Sequence, residues 1–515
     1  MEGTRKSLLK EIIDWAASMP AQKDAVQSNL YWLYGLPGIG KTSLAHSICA
    51  MLHDDGQLAG SFFCRRDDAN LSEPANILPT LISNLAGNFP PFRTIVANRL
   101  RIDSNLTPDS MKDTLFLDFI RSVSRHPKHP LVFVIDALDE CGNTRSRPSI
   151  LKVLTDAARE APWLKIIITS RPEVDIQRFF DSLPQPSHSR RDLATDEEAS
   201  ADLRTFAQIE FDLVATDWHL PAPWPEESVF DSIISRANGL FIFIKTLVLA
   251  LEHCKDPTAS LKATLHDSDG TGLSSPYDLY SSILTARIPP NDADFQRMIG
   301  VLLATAPHRP LREETIAELA GVSPNLVKKW VGDLSSLLYH DEGENGGIRV
   351  RHLSISDFFI RNDYHSDYQV NLGDANVHVG IGCINTMVEQ LCFNICKLED
   401  SRLANADVED LQSRIEENIS DTLQYSCLHW SNHLCSTPSN EDRRVWELFR
   451  KFFEGLYPLF WIEVLSLMGM VSIGVPSLRR VTLTWAKASI APPLSLFAFQ
   501  SHSNIFAIGR RYDTS

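Results

Sequence analysis

Gly35-Leu36-Pro37-Gly38-Ile39-Gly40-Lys41-Thr42 has the residue types and spacing of a phosphate cradle. Its glycines let the backbone curl so that successive N–H groups point at a β-phosphate. Lys41 brings a point charge to the β- and γ-phosphates, and the Thr42 hydroxyl is placed to ligate Mg²⁺, with Ser43 next in line. Further along, Leu131-Val-Phe-Val-Ile ends in Asp136 and runs on to Asp139-Glu140. Asp136 suits a water-bridged Mg²⁺, and Asp139 or Glu140 suits polarisation of the water that attacks a γ-phosphate. A third apolar run, Trp163 to Ser170, leads to Arg171. Arg171 has two readings: a contact that reports the γ-phosphate, or a surface pair with Glu173 or Asp175.

These groups need a rigid frame. Trp32-Leu-Tyr34 reads as the end of a buried strand and Ser43 to Leu52 as the helix that follows. Leu131 to Ile135 is continuously apolar, which fits a parallel strand buried on both faces. Leu58 to Cys64 is a further strand, followed by a loop rich in Arg, Asp and Asn. Polar residues at the C-terminal ends of parallel strands lie where open α/β sheets bind ligands. The fold class is therefore α/β: a doubly wound parallel-sheet P-loop NTPase domain, here the first 185 residues, followed by α-helical, winged-helix and C-terminal α-helical domains.

The chain has 515 residues, more than one core usually holds. Its net charge of −16 argues against a broad nucleic-acid surface or an acidic membrane partner. Nine cysteines without paired spacing, and an N-terminus without an apolar signal core, point to a reducing, cytoplasmic setting. Gly239 to Leu251 is apolar but short and carries Lys245. Leu456 to Leu478 is long enough to span a bilayer but holds Glu463, Pro458 and Pro476, so it reads as a buried helix broken near Gly469 or Gly474. Cys427, His429, His433 and Cys435 have the look of a zinc cluster. On a helix the two histidines share a face and the cysteines do not, which favours packing over metal. Cys392 and Cys396 read as helix-packing thiols. No repeat of 20 to 50 residues is visible.

Gly35 to Thr42, Asp136-Ala-Leu-Asp-Glu140 and Thr169-Ser-Arg-Pro172 together resemble the NACHT class of signal-transducing P-loop NTPases. They are similar to fungal NLR-like proteins that carry a nephrocystin-like NTPase. The lead-in Gly3-Thr-Arg5, Leu8-Leu9, Glu11-Ile12 and Trp15 resembles that family's segment before the first strand, which implies a share in enclosing the base. The resemblance implies ATP or ADP with Mg²⁺ as cofactors. No Asn-Lys-x-Asp base reader of GTPases is present, and the choice between ATP and GTP stays open.

The implied layout is a helical lead-in (1–29), a P-loop NTPase or NACHT domain (30–185), a helical domain (186–268), a winged-helix domain (269–365) and a C-terminal helical region (366–515). Asp202 to Phe211 reads helical, and Val229 to Leu251 as a helix pair broken at Asn238-Gly239. Gly239-Leu-Phe241 resembles the turn that closes over the nucleotide, with Phe241 where many relatives have proline. Pro310 to Gly321 reads as a helix, Ser323-Pro324 as a cap, Asn325 to Leu338 as a second helix, Asp341 to Gly347 as a wing and Ile348 to His352 as the returning strand. In the family a histidine placed like His352 touches the ADP β-phosphate and holds the closed state; a core-edge histidine is the other reading. The second helix offers Lys328 and Lys329 beside Asp333, a poor set for DNA, so no nucleic acid is expected.

The leading functional expectation is a slow Mg²⁺-dependent NTPase that acts as a signalling switch and oligomerises when NTP-bound, as in fungal NLR-like immunity or self/non-self signalling. Two others stand beside it. One is a fast ATPase doing mechanical work, and one is a truncated NLR-like adaptor without turnover, suggested by the short lead-in and the lack of repeats. Protein partners are not legible.

Overall fold

The computed structural model describes residues 4–18, 29–102, 113–121, 127, 129–184, 188–195, 198–252, 254–266, 276–341, 346–361, 366–400, 403–435 and 443–487. Gly3, most of the wing (342–345) and the C-terminal tail lie outside the described residues. Two compact units divide the chain. The first is Met1–Ile283 with Ser335–Leu337 and His352–Ile355; the second is Leu284–Leu334 with Leu338–Arg351 and Ser356–Ser515.

The first unit is built on a parallel sheet. Its strands are β1 (Leu30–Tyr34), β2 (Leu58–Phe63), β3 (Leu131–Asp136), β4 (Leu164–Ser170) and β5 (His188–Asp192), in the order β2-β3-β4-β1-β5. All neighbouring pairs are parallel. Every residue of β3 and β4 is buried, because both are interior strands with helices on each face. The helices are α1 (Lys6–Ala17), α2 (Lys41–Asp54), α3 (Ile77–Asn88), α4 (Pro90–Ile102), α5 (Asp113–Arg121), α6 (Ser146–Glu160) and α7 (Val174–Ser182). Leu30, Trp32, Phe133, Ile135, Ile166 and Ile168 share one face and join α3 to α7 in a single core. The alternate row, with Tyr31, Val132, Lys165 and Ile167, faces the other way, toward α1 and α2.

The doubly wound parallel architecture expected from the sequence is the one observed. β5 was not expected. It pairs with β1 beyond residue 185, where the sequence alone placed the end of the NTPase domain. Its residues, His188-Ser-Arg-Arg-Asp, are polar because it is an edge strand.

Lys165 breaks the apolar row of β4. Its side chain is fully buried, and Nζ donates to the Trp15 carbonyl and to Ser18 Oγ (2.7 Å). It also lies 4.7 Å from the Trp15 ring centroid. The end of α1 is a favourable place for a cation, since the helix dipole is negative there. Burial lowers the Lys165 pKa to about 8.

After the sheet come α8 (Ala199–Asp217), α9 (Glu227–Ala237), α10 (Phe241–Glu252), α11 (Pro257–His266) and α12 (Pro276–Thr285). The break between α9 and α10 falls at Asn238 and Gly239, both with positive φ.

The second unit contains α13 (Ala293–Thr305), α14 (Glu313–Ala320), α15 (Pro324–Asp333) and an antiparallel hairpin, β6 (Leu338–Asp341) with β7 (Gly347–Val350). Leu311 bridges to Ile348 at the hairpin's side. α14 is shorter than expected and opens at Glu313; Gly321, at φ 66, closes it. α15 stops at Asp333 and does not reach Leu338, which opens β6 and pairs with Val350 instead. Pro324 starts α15 as read, but the Ser323 side chain makes no cap bond. α16 (Leu353–Ile360) follows His352 in sequence.

The remaining helices are α17 (Leu372–Gln390), α18 (Leu411–Asn418), α19 (Asp421–Cys435), α20 (Arg443–Glu454), α21 (Tyr457–Leu467) and α22 (Gly474–Lys487). Gly469, at φ 69, breaks the long apolar run between α21 and α22. Among the described residues no helix is long and apolar enough to cross a membrane. Cys392 and Cys396 lie in the segment after α17 and not on a helix; Cys392 is exposed and so does not pack, whereas Cys396 is buried.

The histidines of α19 form a hydrogen-bonded core cluster. His433 Nδ1 lies 2.9 Å from Asn376 Oδ1, which can only accept, so His433 Nε2 accepts from the Tyr425 hydroxyl at 2.6 Å. His308 stacks on His429 with ring centroids 4.7 Å apart. Burial holds all three neutral, with pKa values of about 4 for His308, 3 for His433 and 2 for His429. Each lies below the ordinary 6.5, so the unfolded form binds protons first. The cluster's contribution is intact above pH 6.5 and is lost as pH falls toward 4, at about 1.4 kcal/mol per pH unit for each ring, or about 4 for the three together. Hydrogen exchange of residues 421–435, corrected for intrinsic rates, should therefore lose protection about tenfold per pH unit below 6.5 for each ring the opening frees, up to about a thousandfold for all three. His429→Phe should flatten that slope; an unchanged slope would mean the cluster is not responsible.

Candidate functional site

The chain leaves β1 at Tyr34, turns through Gly35–Gly40 and enters α2 at Lys41. Gly38 (φ 81) and Gly40 (φ 95) occupy the left-handed region that glycine adopts without strain. Gly35 N–H donates to the Ser170 carbonyl (3.4 Å), which ties the loop to the end of β4. Lys41 Nζ donates to the carbonyls of Gly35 (2.8 Å) and Leu36 (3.0 Å), so the ammonium sits inside the curve of the loop. Ile39 is buried, Pro37 and Ser43 are half-buried, and Leu36 is exposed. Burial lowers the Lys41 pKa to about 8, opposed by Asp139, Asp136 and Glu140 and assisted by Arg171.

α10 closes over this loop through a residue the sequence did not single out. Ile242 N–H donates to the Gly38 carbonyl (3.2 Å), and a Cβ on Gly38 would fall 2.0 Å from Ile242 Cγ2. Phe241, which stands where many relatives have proline, turns inward against Phe206 (centroids 5.4 Å apart) and lies under the Arg5 guanidinium at 5.9 Å. Arg5 also donates its N–H to Asp202 (2.7 Å) and Nη1 to the Leu193 carbonyl (3.3 Å). The lead-in segment is thus joined to the cover of the loop.

At the end of β3, Asp136 Oδ1 accepts from the Thr169 hydroxyl, and Thr169 Oγ1 accepts from Ala137 N–H (2.9 Å). Ala137 is thereby held at φ 54, a strained value for a residue with a Cβ. Thr42 also hydrogen-bonds Asp136. Burial raises the Asp136 pKa, while the bonds from Thr169 and Thr42 and the charge of Lys41 pull it down. A hydroxyl and a carboxylate meeting here are hard oxygen donors of the kind Mg²⁺ takes.

The two acids that follow occupy different environments. Asp139 is buried; its Oδ1 accepts Arg171 N–H (2.9 Å) and its Oδ2 lies 3.2 Å from Arg171 Nε. Its carbonyl accepts from Arg147 Nη1 (2.8 Å), and Arg147 in turn pairs with Asp175 at 2.8 Å. Asp139 is therefore the acid on Arg171, in place of the Glu173 or Asp175 suggested by proximity in sequence. Among the described residues Glu140 accepts a single long bond, from Arg66 N–H (3.3 Å), and burial followed by the charge of Asp139 raises its pKa to about 7.

His352 belongs to the same unit. Ser354 N–H donates to its Nδ1 (3.1 Å), which leaves the ring proton on Nε2. Burial, followed by the charges of Arg171 and Lys41, lowers its pKa to about 4. The structure thus gathers Lys41, Thr42, Asp136, Asp139, Glu140, Arg171 and His352 around one loop. Arg147, Thr169 and Ile242 support them; Thr169 stands in the sequence motif without a role, and Arg147 and Ile242 went unread, because each acts through a tertiary contact that carries no sequence pattern.

A five-stranded parallel sheet with a glycine loop and lysine after β1, and a carboxylate ending β3, defines a P-loop NTPase fold. Residues 5–171 match the family model described as nephrocystin 3, N-terminal. No curated protein matches the chain in sequence. Among solved structures, the chain is similar to a Walker-type ATPase of Pyrococcus abyssi, at 12% identity over 69% of this chain and 95% of that one, with a TM-score of 0.33. It is also similar to a signal transduction ATPase with numerous domains, carrying a tetratricopeptide repeat sensor, from Pyrococcus horikoshii. That match has 13% identity over 97% of this chain and 69% of the other, with a TM-score of 0.37.

Proposed function

We propose that this chain is a NACHT-type signalling switch that binds ATP or ADP with Mg²⁺, hydrolyses slowly and self-associates when triphosphate-bound. The observation that carries this reading is His352, whose ring lies close enough to both Lys41 and Arg171 for their charges to act on it. A neutral imidazole with its proton on Nε2 donates to a phosphate oxygen without adding charge. The loop N–H groups hold the α- and β-phosphates, and Lys41 reaches the β- and γ-phosphates. Thr42 and Asp136 hold the metal, which when bound supplies charge neutralisation at the phosphates. Arg171 answers to the γ-phosphate, and Glu140, with a pKa near neutrality, accepts a proton from the attacking water. A diphosphate favours the His352 contact and a triphosphate the Arg171 contact, and this difference in contacts is what biases two states.

The layout read from the sequence fits this scheme, with residues 269–365 as a winged helix that carries the histidine. Fungal NLR-like signalling in the cytoplasm is the setting that the motif resemblance favours. The decisive experiment is to denature the purified protein, identify any released nucleotide, and titrate ATP, ADP and GTP with Mg²⁺ while following molecular mass by light scattering. Release or uptake of an adenine nucleotide, with larger assemblies in ATP than in ADP, supports the switch. Protein that carries no nucleotide and binds none sinks it.

A further inference from the structure

We propose that Asp139 sets the preference between triphosphate and diphosphate by holding the Arg171 guanidinium in competition with a γ-phosphate. The inference rests on the nucleotide reading above and names a regulator within that site.

The two halves of the clamp differ in freedom. The Asp139 side chain is 2% exposed and that of Arg171 14% exposed, so the acid is the more deeply buried partner and the arginine the one that reaches solvent. Asp139 is also anchored from behind. Its carbonyl is held by Arg147, and Arg147 grips both oxygens of Asp175 on α7, at 2.8 and 3.4 Å. Any exchange of partners therefore moves Arg171 and leaves Asp139 in place.

The two bonds of the clamp use different oxygens. Oδ2 faces the guanidinium, whereas Oδ1 accepts the Arg171 backbone N–H. Rotation of the side chain breaks the first bond and keeps the second, so the buried carboxylate retains a donor when the guanidinium leaves. A γ-phosphate carries more charge than a carboxylate and accepts the guanidinium fork at two oxygens. It can draw Arg171 away. A diphosphate presents no such group and leaves the clamp shut. The clamp thus weakens triphosphate binding selectively, and its strength sets the ratio of the two affinities.

The test measures dissociation constants for Mg²⁺-bound ADP and for a non-hydrolysable β,γ-imido analogue of ATP. The proteins are wild type, Asp139→Asn, Arg171→Ala and the double variant. Asp139→Asn keeps an acceptor for the backbone N–H and removes the charge. It should raise the triphosphate-to-diphosphate preference about tenfold. In the Arg171→Ala background the same substitution should shift that preference less than about twofold. Asp139→Ser, which removes the same charge with a smaller side chain, should move it in the direction of Asp139→Asn. An unchanged ratio in both Asp139 variants overturns the proposal. So does an equal shift with and without Arg171, which would reflect simple removal of charge. A wild-type protein that binds neither nucleotide overturns the switch itself, and this inference with it.

Discussion

Lys41→Ala is expected to abolish nucleotide binding while leaving the fold intact. Nζ sits within the loop, between the carbonyls of Gly35 and Leu36, and is the cation closest to the curve that a phosphate would enter. Charge-assisted hydrogen bonds contribute roughly 1.5–3 kcal/mol each, so losing contacts to two phosphates costs at least about a hundredfold in affinity. The backbone should tolerate the change. Lys41 opens α2, alanine is the best helix former, and the left-handed turn before it belongs to Gly40. Calorimetric titration with Mg²⁺-ADP, beside circular dichroism of the variant, checks both halves. Wild-type affinity in a folded Lys41→Ala protein would show that the cradle is not where nucleotide binds.

Glu140→Gln is expected to slow hydrolysis by about 10²–10⁴-fold with dissociation constants little changed. Asp139 keeps Oδ1 on the Arg171 N–H even when the guanidinium leaves, while among the described residues Glu140 accepts one long bond, and burial raises its pKa to about 7. Glu140 works as a base only when ionised, so kcat/KM should rise with pH through about 7. It should fall again above about 8, as Lys41 loses the proton that binds phosphate. Glu140→Gln should remove the lower limb and keep the upper one. Normal turnover in Glu140→Gln, with loss in Asp139→Asn, would transfer the role of base to Asp139.

Most of the frame around these residues could be read from the chain. β1 and β3 are unbroken apolar runs and β4 is one interrupted by Lys165, as strands buried between two helical layers are mostly apolar. The glycine loop is legible because positive φ at Gly38 and Gly40 restricts the residue choice. β5 is not legible, since an edge strand can be as polar as His188-Ser-Arg-Arg-Asp. The overrun of α15 has a similar cause. Ser335-Ser336-Leu337-Leu338 suits a helix end as well as the turn and strand it forms. The site was legible residue by residue but not pair by pair. Nothing in the spacing of Asp139, Arg147, Arg171 and Asp175 says which acid meets which base, because the choice is made where β4, α6 and α7 converge.

The buried lysine of β4 has a consequence for the length of the segment that precedes the sheet. α1 has 12 residues, which makes it about 18 Å long, and β4 has 7, which makes it about 23 Å. Lys165, near the start of β4, fixes the last turn of α1. At the helix's opposite end Arg5 reaches Phe241, next to the residue that covers Gly38. The helix is therefore a gauge block cut to the depth of the sheet, seated at the floor and level with the rim. One residue added within it would turn its free end by about 100° and carry Arg5 off Phe241. A one-residue insertion within α1 should therefore be more disruptive than substitution of its exposed residues.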